Sequence, residues 1–103
     1  MKISIIRIDG AVYKDGVSYA GLDLSVIPTS IHALQFNTES SKGHIEYVMD
    51  ENGQIPQNMQ VTELPDWAVT ACAKWDEAKA AEEAAQLAYV SQPQPQTMGT
   101  QQA

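Results

Sequence analysis

The sequence predicts an α+β fold: a small antiparallel β-meander domain over residues 1–63, one long C-terminal helix over 64–90 and a Gln/Pro-rich flexible tail over 91–103. Three observations carry this prediction. β-branched residues nearly alternate at the start of the chain. Asp-Gly and Asn-Gly pairs interrupt short β-favouring pieces, as tight hairpin turns require. From Pro65 through Val90 the chain has no glycine and no further proline, and it is rich in alanine, glutamate and lysine.

In chain order, Ile3, Ile5, Ile6 and Ile8 define a first strand. Asp15-Gly16 then sits between Val12-Tyr13-Lys14 and Val17-Ser18-Tyr19, which predicts a hairpin whose central residues take positive φ. The segment Gly21 to Pro28 alternates apolar and polar positions but ends at a proline, so it reads equally as a short edge strand or an ordered loop. A further strand is expected with His32, Leu34 and Phe36 on one face and Ile31, Ala33 and Gln35 on the other. It is linked by the polar stretch Asn37 to Gly43 to a strand over His44 to Met49 with Ile45 and Tyr47 inward. Asn52-Gly53 marks another turn, which returns the chain through Gln54 and Ile55 toward Gln60 and Val61. Pro65 suits a helix start because its missing N–H is one of the orphan donors there, and Asp66 sets a negative charge against the positive end of the helix dipole. Trp67, Ala71, Trp75 and Ala78 recur every three or four residues and form the face that packs on the sheet, with Trp67 and Trp75 as anchors.

Composition narrows the function. At 103 residues, 44% hydrophobic and 18% charged, the chain reads as one domain with its own core and no separate substrate domain. Thirteen acids against six bases leave a net charge of −7, with both halves acidic, which is the wrong sign for gripping a phosphate backbone. No nucleic-acid partner is expected. The single cysteine, Cys72, cannot form an intrachain disulfide, so a reducing compartment is the simplest reading. Arg7 and Asp9 break the apolar opening before a signal-like core is complete, and no stretch is long enough to span a membrane.

The residues that carry chemistry are sparse. A Cys72–His pair with His32 or His44 is formally available, but Cys72 falls beside the Trp67–Ala71–Trp75 stripe, where a small apolar residue packs readily. His32 and His44 flank one expected hairpin and would need carboxylates such as Glu39 or Glu46 to hold a metal. Asp50-Glu51-Asn52-Gly53 is oxygen-rich, yet its glycine comes too early for a calcium loop, and the twelfth position is Val61 instead of glutamate. The reading is therefore of a protein without catalytic residues, metal ligands or cofactors.

The helix is more informative. Beyond Ala78 its large apolar residues are few, so the distal half is expected to project from the sheet. Ala78, Ala81, Ala85, Ala88 and Tyr89 make a narrow stripe suited to close approach by a partner. Small residues bury little area, so the contact calls for a large partner or several copies, including a homo-oligomer built through this helix.

Ile6-Arg7-Ile8-Asp9-Gly10, Asp15 to Leu24, His32 to Phe36, Gly43 to Tyr47 and Leu64-Pro65-Asp66-Trp67-Ala68 together resemble a group of small tailed-bacteriophage proteins encoded beside tail-fibre genes. The resemblance covers roughly residues 3 to 85 and brings no active site with it. It implies a non-enzymatic protein that binds a phage tail or tail-fibre protein. The role would be that of an assembly chaperone in the host cytoplasm or of a component retained in the virion tail. A different class, a small acidic phage inhibitor that offers carboxylates to the nucleic-acid groove of a host defence protein, ranks second because alanine and glutamine dilute the acids.

Overall fold

The computed structural model describes residues 1–91, with side chains as far as Tyr89. It contains β1 (Lys2–Ile6), β2 (Ala11–Lys14), β3 (Val17–Tyr19), β4 (Ile31–Asn37), β5 (Lys42–Tyr47), β6 (Met59–Val61) and α1 (Asp66–Ser91). This is the expected α+β arrangement, one six-stranded antiparallel sheet followed by one long helix. The glutamine-rich stretch predicted from residue 91 begins at the residue that closes the helix, and 92–103 lie outside the described residues.

The sheet order is β3-β2-β1-β4-β5-β6, so the molecule is two three-stranded meanders joined along a β1/β4 seam. A single continuous meander would have placed β4 beside β3. Instead the chain must travel from the β3 edge back past β2 and β1, and residues 20–30 make that journey. The segment Gly21 to Pro28 is accordingly a loop, and its alternation has another purpose: Leu24 and Ile27 are buried in the core, and Leu22 packs against it.

Turn chemistry matches the sequence signals. Asp15 and Gly16 both take positive φ, 51° and 83°, the backbone a two-residue primed hairpin demands. Asp50 holds the Asn52-Gly53 turn by accepting N–H bonds from Asn52 and Gln54, each at 2.9 Å. At Gly43 the sheet itself excludes a side chain. A Cβ there would run into the Gln35 carbonyl oxygen and lie 2.9 Å from the Phe36 Cα.

Three strand assignments differ from expectation, one of them being β5, which takes in Lys42 and Gly43 and stops at Tyr47 short of Met49. β1 ends at Ile6, and Ile8 lies in the following turn with 75% of its surface exposed. The turn breaks the alternation because Arg7 leaves the ladder, sending its backbone N–H to His32 O and its Nε to Ile31 O. On β4 the register shifts between Ile31 and Ala33, which face Tyr47 and Glu46 respectively. This bulge places the extra residue, His32, in solvent and returns Ile31 to the core face with Leu34 and Phe36. His32 therefore does not share the buried face of Leu34.

The core lies on one side of the sheet. Ile3, Ile5, Val12, Leu34, Phe36 and Ile45 meet Ala68, Ala71, Cys72 and Trp75 of the helix, with Leu24 and Ile27 of the loop completing the layer. The opposite side carries Lys2, Ser4, Tyr13, Gln35 and His44, and among the described residues no helix or strand lies over it.

Candidate docking site

The helix begins where expected. The carbonyl of Pro65 accepts from the N–H groups of Ala68 and Val69, and Asp66 occupies the first turn. It leaves the β6 edge and reaches β3 at the other edge, crossing the sheet. Ala68 and Ala71 are fully buried, small enough for the helix to lie close to the strands.

Trp75 is the principal anchor, 7% exposed. Its Nε1 donates to Val17 O at 3.0 Å, and its ring meets Tyr19 edge-on with centroids 5.6 Å apart. Lys14 Nζ stands 4.6 Å from the indole centroid and also bonds Asp76 at 2.9 Å. Two turns further on, Glu82 accepts the Tyr19 hydroxyl at 2.7 Å. That bond, before burial and the nearby carboxylate charges, raises the Tyr19 pKa above the ordinary phenol range. Trp67, the other expected anchor, is half-buried and packs against the rim of the core.

Past this clamp the surroundings change. Every residue from Ala80 to Tyr89 is exposed, so Ala81, Ala85, Ala88 and Tyr89 are open to a partner. Ala78 is half-buried and belongs to the boundary between the packed and projecting halves. Glu83 is tied to Lys79 at 2.9 Å within the helix, a spacing that stiffens the projecting turns.

The residues considered for chemistry are dispersed. Cys72 is buried, and burial pushes its thiol above the ordinary range, opposed by Lys14 and aided by Asp76. His44 pairs with Gln35 across the β4/β5 ladder and bonds Glu46 at 2.9 Å, while His32 sits at the bulge, so the two histidines do not face each other. Among the described residues no group of three or more His, Cys, Asp or Glu side chains is placed to hold a metal ion, and no helix is long and apolar enough to cross a membrane.

Sequence reasoning found the tryptophans from their helical spacing but missed Lys14, Tyr19 and Glu82. Lys14 lies 62 residues from its partner Asp76 and Tyr19 63 residues from Glu82, and only the charge and hydroxyl types hinted at them. Comparison with protein-family models, with curated proteins and with solved structures finds no match to this chain.

Proposed function

We propose that this protein is a non-enzymatic assembly or structural component that docks on a larger protein through the projecting half of α1. The observation that supports this reading is the exposed helical stretch from Ala80 to Tyr89, which follows the Trp75 clamp and whose first turn is tied to β3 through Glu82 and Tyr19. A helix that continues about ten residues past its last packed turn gains nothing from its own core, and its alanine face permits close approach by another helix or a groove. The free edge at β6, three residues long with Met59 exposed, offers backbone groups for a second contact. Following the resemblance, the partner is a tailed-bacteriophage tail or tail-fibre protein. The protein then acts in the host cytoplasm during assembly and, where it is retained, in the virion tail.

Co-expression with a tailed-bacteriophage tail-fibre protein tests this reading. The full chain is expected to co-purify with the fibre and raise its soluble yield, and Ala81→Glu with Ala85→Glu is expected to abolish both. A full chain that neither co-purifies nor alters fibre solubility would overturn the proposal.

A further inference from the structure

The uncovered face of the sheet has a chemistry unlike the rest of this acidic molecule. Lys2 on β1 pairs with Asn37 on β4, and Asn37 pairs with Lys42 on β5, so one row carries both lysines about 10 Å apart with an amide between them. The next row on the same face carries Tyr13, Ser4, Gln35 and His44. A shallow depression is framed by Lys2, Ser4, Gln35, Asn37, Lys42 and His44.

The hydrogen-bonding state of these groups is one-sided. Asn37 Oδ1 already accepts the Glu39 N–H at 2.8 Å and lies 3.4 Å from that of Ser40. Gln35 Oε1 accepts the Ser4 hydroxyl. Each amide has thus committed its oxygen inside the protein and retains its NH₂ donors, and the two lysines are donors only. Neighbouring acids are engaged too: Glu46 with His44, Glu39 with the N-terminal amine at 3.6 Å, and Asp15 with the Lys2 backbone N–H. Among the described residues neither Lys2 nor Lys42 has a carboxylate within ion-pair distance.

We infer that this depression is an anion site that takes one small ligand carrying two negative charges on oxygen, a phosphate group or a dicarboxylate. Lys2 and Lys42 supply the opposing charges, and Asn37 and Gln35 supply neutral donors between them. The net charge of −7 repels an anion at long range, so binding rests on these short contacts and has an affinity on the order of millimolar.

Amide chemical shifts followed by NMR through titrations of the full chain test the inference. One arm uses inorganic phosphate, a second uses succinate, and sodium chloride at matched ionic strength is the reference. Saturable shifts confined to Ser4, Gln35, Asn37, Lys42 and Gly43 in either arm are expected, and the arm that saturates identifies the source of the charge. Lys2→Met with Lys42→Met should weaken that binding by about tenfold or more, since charge-assisted hydrogen bonds contribute at about that scale. Both lysines are exposed, so the fold should persist; should the double variant fail to fold, Lys42→Gln alone gives the same reading. Shifts no larger than those with chloride, shifts elsewhere on the surface, or affinity unchanged in the folded variants would overturn it. None of these results bears on the fibre binding proposed above, which is assigned to the helix and the β6 edge.

Discussion

Trp75 joins the two parts of the molecule, and the cost of losing it follows from what it touches. Trp75→Ala removes a buried ring, the bond to Val17 O and the edge contact with Tyr19, and should destabilise the protein by about 3–5 kcal/mol in urea denaturation followed by circular dichroism. Trp75→Phe keeps much of the buried area but not the indole donor, and should cost about 1 kcal/mol from that bond alone. A second prediction concerns alkaline pH. Cys72 and Tyr19 both have raised pKa values in the folded state, the first chiefly by burial and the second chiefly by its bond to Glu82. As pH rises, the unfolded thiol and phenol ionise first, so stability is complete below about pH 8.5 and declines as pH climbs toward the folded-state values. Melting temperatures from pH 7 to 11 should stay level and then fall. In Cys72→Ala the fall should begin later, near the phenol range.

Within α1 one sequence composition serves two environments. Its alanines stabilise the helix intrinsically, which is why the element was legible without knowledge of its contacts. Their burial was legible only along the tryptophan stripe: Ala71, spaced with Trp67 and Trp75, is fully buried and Ala85 beyond the stripe is exposed, whereas the equally buried Ala68 lies off that spacing and was not read as core. Substitution separates them. Ala71→Leu forces side-chain volume between helix and sheet and should cost about 1–3 kcal/mol, whereas Ala81→Glu with Ala85→Glu should change stability by no more than about 0.5 kcal/mol per site. Equilibrium denaturation of the two variants reads this difference directly. The strands divide similarly. β2, β3 and their turn follow from Asp15-Gly16, but the bulge at His32 does not, because it arises where Arg7, in the turn after β1, takes up the Ile31 and His32 carbonyls.

Across the whole molecule, lengths decide where the helix ends relative to its platform. Six strands span about 24 Å between edge axes, while 26 helical residues extend about 39 Å. The excess is about ten residues, which agrees with the exposed stretch after Lys79. Backbone amides from Ala71 to Lys79 should therefore exchange slowly, at rates set by global unfolding, and those from Ala84 to Tyr89 much faster; mass-resolved hydrogen exchange measures the contrast. Partner binding at the projecting half should slow the second group selectively. The residues alone determined the fold class, the turns at Asp15-Gly16 and Asn52-Gly53 and the long helix, because propensity, turn geometry and helical spacing are local properties of neighbouring residues. Only the tertiary structure decided that β4 returns to β1, that the 20–30 loop fills the core, that Lys14, Tyr19 and Glu82 complete the clamp, and that Lys2 and Lys42 flank Asn37 on one face of the sheet. Those outcomes depend on contacts between residues tens of positions apart, whose pairing is chosen by burial and hydrogen-bond satisfaction over the entire chain.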